Sequence, residues 1–199
     1  MTHVHRDDFG SRLGMWLFLV TEMVLFGGLF IAYSAMRHRY PMEFHHAGAE
    51  LNAVLGITNT VVLLTSSLTV VLSIVAIQRN ERSRAIGFLS TTLGLGFVFL
   101  IIKGFEWAAK FHHGLYPNSA HLATLPPGEQ VFFGLYFSMT GLHGVHVIAG
   151  MGVLAWVLGM VVKGTVNADK YVHLENAGLY WHLVDVIWIF LLPLFYLAA

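Results

Sequence analysis

The chain has 199 residues, 56% hydrophobic and 11% charged, with 11 Lys and Arg balancing 11 Asp and Glu for a formal net charge of zero. Soluble domains carry about 25% charged residues; the deficit here, with mean hydropathy +0.68, is what lipid selects, because a charge at the bilayer centre costs at least ~2.5–3.5 kcal/mol. Balanced charge excludes the basic surface of a nucleic-acid binder, and a chain without cysteine excludes disulfides, cysteine-ligated iron–sulfur clusters and thiol chemistry.

The first ten residues are polar and include Asp7 and Asp8. They lack the basic n-region of a secretory signal, so the first apolar segment is expected to remain in the mature protein. A helix needs about 20 mostly apolar residues to cross the hydrocarbon core. Five segments meet that need: 11–36, interrupted only by Glu22; 51–77, with no charge; 85–110, apolar to 102 and amphipathic beyond; 131–162, uncharged; and 173–197, with Asp185 inside and Pro193 near its end. The expected fold is all-α, a single transmembrane domain over residues 1–199 built as a bundle of five transmembrane helices. The fourth segment exceeds a ~30 Å core at ~1.5 Å per residue, so it should tilt or project. The longest link, 111–130, holds Pro117, Pro126, Pro127 and Gly128 and reads as an ordered extramembrane loop.

Orientation follows from Lys and Arg placement. Arg6, Arg12, Arg79, Arg82, Arg84, Lys163 and Lys170 fall on the N-terminal side, against Arg37, Arg39, Lys103 and Lys110 on the other. The excess predicts a cytoplasmic N-terminus and a periplasmic C-terminus.

Ionisable groups inside the spans are the informative positions, since each needs a compensating role. Glu22 lies at mid-depth with no charged neighbour on its own helix, and a proton-linked and a structural role both fit it. On the last span Glu175, Gly178, His182 and Asp185 fall within an arc of about 80°, and His143 and His146 sit one turn apart on the fourth. Counting from the span ends puts Glu22, His146, His182 and Asp185 at similar depth, so these four are expected to form one polar cluster joining spans one, four and five. The histidines read first as interhelical ties and only second as metal ligands. Lys103, Glu106 and Lys110 have the spacing of a local ion pair. Tyr33, Tyr40, Trp107, Tyr116, Tyr171 and Tyr196, near span ends, read as an interfacial belt. The row Asn59, Thr65, Ser66, Thr69 and Ser73 reads as close helix packing.

Four segments resemble one family. Glu175, then Tyr180-Trp181-His182, Asp185 and Trp188, resemble the final helix of heme-copper oxidase subunit III. Gly141, His143, Gly144, His146 and Val147 resemble its Gly-x-His-Gly-x-His-Val segment; Thr21-Glu22 with Phe26 and Phe30 resembles its Ser-Glu and aromatic run; Phe105-Glu106-Trp107 resembles its Glu within an aromatic stretch. The matches occur in the family's order from residue 11 to the end. Mitochondrial-type members have seven helices, and this chain lacks the first two, which in those members wall a cleft holding phospholipids. Five-helix forms resemble subunit III of bacterial cytochrome c and quinol oxidases and an accessory protein of nitric oxide reductases.

The resemblance implies an accessory role in aerobic respiration, within the bacterial cell membrane. The chain would hold no cofactor, metal or catalytic residue of its own. Heme and copper would reside in the catalytic subunit I against which it packs, with subunit II and a small subunit in place of the missing helices as further partners, and with phospholipid bound. Buried polar residues for proton uptake or structure would be Glu22, Glu106, His143, His146, Glu175, Trp181, His182 and Asp185. A membrane b-type cytochrome, using the same histidines as axial ligands, is the rival from another class. It fits poorly, because two stacked hemes need histidines about four turns apart along each helix. A small proton-coupled transporter would show inverted repeats or broken helices, and the sequence displays neither.

Overall fold

The computed structural model describes residues 8–197; Arg6 and Asp7, used in the charge and signal arguments, lie outside the described residues. Its helices are α1 (Asp8–Arg39), α2 (Pro41–Ala49), α3 (Ala53–Gln78), α4 (Arg82–His112), α5 (Pro127–Lys163) and α6 (Val172–Leu192), with a 3₁₀ turn at Leu122–Thr124 and a π-helical turn at Pro193–Leu197. Five are long and apolar enough to cross a membrane: α1, α3, α4, α5, and α6 together with its π-helical turn.

Local chemistry sets the helix ends. The Asn52 side chain accepts from the N–H groups of Val54 and Leu55 at 3.0 and 3.2 Å, capping α3. Pro41 and Pro127 open α2 and α5, where a missing N–H costs nothing. Gly164, at φ 76°, ends α5 in the left-handed conformation that glycine adopts without a Cβ penalty. Pro193 has no N–H for the helical ladder, and the chain widens there into the π-helical turn.

The short α2 is an addition to the five expected segments. It lies in the link after α1 and buries Phe44, Ala47 and Gly48. At 37 residues α5 is about 56 Å long, well beyond a ~30 Å core, and its first turn packs on α2. A Cβ at Gly128 would come within 2.8 Å of both Glu43 and Tyr40, so this approach needs glycine.

α6 occupies the centre, packed against α1, α3 and α5, while α4 joins α3 to α5. Trp181 and Trp188 are fully buried and donate their indole N–H groups to Ser66 and Thr60 of α3, each at 3.0 Å. Thr69 and Thr92 bond across α3 and α4 at 2.7 Å. Of the expected packing row on α3, Asn59, Ser66, Thr69 and Ser73 are buried, whereas Thr65 is exposed and bonds back to the Val61 carbonyl. α1 is the loosest element. Trp16, Val20, Met23, Val24 and Ile31 are all exposed apolar residues on it.

Contacts at the two ends fix which connections share a side. At one, Arg12 pairs with Glu175 at 2.7 Å and Arg82 donates to the Val161 carbonyl at 2.8 Å. At the other, His46 meets Glu129 at 3.0 Å, Lys110 donates to the Glu50 carbonyl and Tyr33 donates to the Leu194 carbonyl. Tyr33 and Tyr196 depart from the expected interfacial belt. Both are buried and turn their hydroxyls to partners inside the bundle, because a phenol with a fixed acceptor gains more there than at a wet surface.

Candidate functional site

Glu22 is not an isolated carboxylate. Its Oε2 lies 2.8 Å from His146 Nε2, across the α1–α5 contact, and both side chains are largely buried. The other His146 nitrogen, Nδ1, lies 2.8 Å from the Leu142 carbonyl. A carbonyl only accepts, so Nδ1 carries a hydrogen. One further proton is then shared between Nε2 and the Glu22 oxygen. Whether held as imidazolium–carboxylate or as imidazole–carboxylic acid, the pair is neutral as a unit. That is how an acid at this depth avoids a net buried charge. Phe26 meets the imidazole edge-on, ring centres 5.3 Å apart.

A second polar centre joins α4, α5 and the C-terminal turn. The Lys103 ammonium donates to Glu106 Oε2 at 3.0 Å and to the hydroxyls of Tyr136 and Tyr196 at 3.2 and 2.9 Å. Tyr136 donates to Glu106 Oε1 at 2.7 Å, and Tyr196 donates to the same oxygen. The ammonium also sits 5.1 Å from the Trp188 ring centre. All three ammonium hydrogens and both carboxylate oxygens are thus engaged. The i,i+3 ion pair expected from spacing is present, but Tyr136 and Tyr196 convert it into a closed four-residue network. The signal for it was a lysine more than two turns inside its helix end. Tyr136 and Ser67 carried no signal of their own, Tyr196 read only as an interfacial residue, and Arg12 only as a charge setting orientation.

The remaining expected residues divide. Glu175 is bound by Arg12 at the bundle's end, and Trp181 fills the core. His182 bonds through Nδ1 to Ser67 of α3, and not to Glu22 or His146. Asp185 is 2% exposed, and neither of its oxygens completes a hydrogen bond. His143 is fully buried between Phe99 and Trp188, with neither ring nitrogen bonded. Among the described residues no three His, Cys, Asp or Glu side chains converge as a metal set. An axial heme ligand needs a free imidazole nitrogen facing open space. The rings of Phe99 and Trp188 wall in His143, and both nitrogens of His146 are engaged. His182 stands alone.

The model of the family "Cytochrome c oxidase subunit III" matches residues 2–199. The chain belongs to the cytochrome c oxidase subunit III family. A family member from Thermostichus vulcanus, "Cytochrome c oxidase subunit 3", is 32% identical, the alignment covering 99% of this chain and 92% of that relative. "Cytochrome bo(3) ubiquinol oxidase subunit 3" of Pseudomonas aeruginosa is 29% identical over 99% of this chain and 90% of its own length. "Cytochrome c oxidase subunit 3" of Alkalihalophilus pseudofirmus is 33% identical, covering 94% and 86%.

Proposed function

We propose that this chain is the cofactor-free accessory subunit III of a bacterial heme-copper terminal oxidase, stabilising catalytic subunit I and supporting its proton uptake. Cytochrome c is the proposed electron donor, following the names of the Thermostichus and Alkalihalophilus relatives; the Pseudomonas relative favours quinol as the alternative. Heme and copper reside in the partner. The N-terminus faces the cytoplasm and the C-terminus the periplasm. Lys103 belongs to the bundle interior and drops out of the charge comparison, leaving Arg12, Arg79, Arg82, Arg84, Lys163 and Lys170 against Arg37, Arg39 and Lys110, which supports that orientation.

The observation that carries the proton-uptake reading is the Glu22–His146 pair, a proton-sharing couple on the loosely packed helix α1. Glu22→Gln keeps the shape and lets the amide donate to His146 Nε2, but removes the ionisable group. The expected result is an assembled complex with intact hemes and slower turnover or earlier inactivation, most marked at alkaline pH where protons are scarce. Wild-type rate and lifetime across pH, combined with failed assembly for Glu22→Ala, would reduce Glu22 to a structural tie. Detergent dissociation of the subunit from the purified complex tests the accessory reading: the separated chain should lack a Soret band and the remainder should retain its hemes.

A further inference from the structure

Asp185 has no part in the Glu22–His146 pair or the Lys103 network, yet it sits in the core with both oxygens unpaired. An unpaired buried carboxyl costs free energy that a leucine of similar volume would not. Its surroundings are ordered in a particular way. Ser67 of α3 meets His182 Nδ1 through its hydroxyl oxygen, and His182 lies one helical turn before Asp185 on α6; with Nδ1 as the donor, the Ser67 hydroxyl hydrogen is left to turn toward the neighbouring carboxyl. His182 is only partly buried, and it lines a cleft of about 330 Å³ at the N-terminal end of the bundle. Arg12, Glu175 and Asn176 line the same cleft. A larger apolar groove between α1 and α6 runs on from it, sharing Trp16, Leu179 and His182. From Glu175 to Asp185 is about 15 Å along the helix. The sequence of groups along that distance is a surface carboxylate, an imidazole at the cleft wall, a hydroxyl, and a buried acid.

We propose that Asp185 is a proton-exchanging acid reached from the N-terminal end of the bundle through His182 and Ser67. A proton from cleft water adds to His182 Nε2, the Nδ1 proton passes to Ser67 Oγ, and the Ser67 hydroxyl proton passes to an Asp185 oxygen. Only N–H and O–H bonds change, the carboxylate becomes the acid, and the return step reverses each transfer. The other ionisable groups on the neighbouring helices are committed elsewhere. Arg12 is held by Glu175 and His146 by Glu22, while His143, its nitrogens unpartnered, is enclosed by Phe99 and Trp188 away from the cleft. The inference concerns this chain's own residues and does not rest on the proton-uptake reading of Glu22.

Hydrogen–deuterium exchange of the carboxyl stretch in the intact oxidase complex, followed by infrared difference spectroscopy, tests it. A protonated-carboxyl band lost in Asp185→Asn, or displaced in Asp185→Glu should the asparagine variant not assemble, identifies the group. In otherwise wild-type complex that band should shift promptly in deuterated buffer. Ser67→Ala and His182→Phe should slow the shift by about a hundredfold, the lower end of what one positioned proton-transfer group contributes. Equal exchange rates in wild type and both relay variants would overturn the route. A carboxylate band in place of a carboxyl band, or a wild-type band that never exchanges, would overturn the exchanging acid itself.

Discussion

Lys103 shows how a costly residue becomes a tie. The residue is 8% exposed inside a membrane-crossing helix, yet its ammonium has Glu106, Tyr136 and Tyr196 as hydrogen-bond partners and three aromatic rings around it. Removing one partner of such a pair strands the other. Lys103→Met should therefore destabilise the subunit by about 3–5 kcal/mol, and adding Glu106→Gln should recover much of the loss, since the neutral amide can still accept from the tyrosines. Thermal unfolding in detergent measures both. A double variant no better than the single would show that the network's value lies in the charge itself. At this scale the sequence was only partly readable. The spacing of Lys103 and Glu106 announced a pair, but Tyr136 and Tyr196 join it from elements remote in sequence. Depth counting brought Glu22 level with His146, yet depth carries no information on which way a side chain faces around its helix. His182 accordingly turns to Ser67 on a helix that counting had left out.

Between α5 and α6, close backbone approach works alongside polar pairing. At Gly150 a Cβ would lie 2.9 Å from the Trp181 ring and 3.2 Å from Tyr180, so α5 and α6 meet there backbone to aromatic face. Gly152, two residues on, has nothing within 4 Å. Gly150→Ala should cost about 1–3 kcal/mol by overpacking. Gly152→Ala should be neutral or stabilising by up to ~1 kcal/mol through helix propensity. The contrast between their unfolding temperatures is the measurement, and equal values would mean that the α5–α6 contact yields to a methyl group. The five long helices were legible because lipid leaves backbone polar groups no partner outside the helix, so length and hydropathy suffice. α2 was not, because nine residues of mixed character are held by packing Phe44 against Tyr33 and Phe132, a tertiary cause with no periodic trace.

Across the whole molecule the two ends differ in how charge is used. At the N-terminal end Arg12 ties α1 to α6 through Glu175, and Arg82 spans from α4 to the last carbonyls of α5. At the other end Lys110 is buried against the Glu50 carbonyl, leaving Arg37 and Arg39 as the exposed strong cations. The positive-inside bias counts Lys and Arg flanking the spans, and burial of Lys103 inside the bundle removes it from the count on the side opposite the N-terminus. Five crossings then require residue 80, in the turn between α3 and α4, and residue 199 to emerge on opposite faces. Reporter fusions at 80 and 199 should give a cytoplasmic signal at the first and a periplasmic signal at the second. Signals on one common side would contradict five crossings. Opposite signals of reversed sense would keep the bundle but overturn the orientation, and would put the Arg12–Glu175 cleft and the route to Asp185 on the periplasmic face, where they could not draw on cytoplasmic protons.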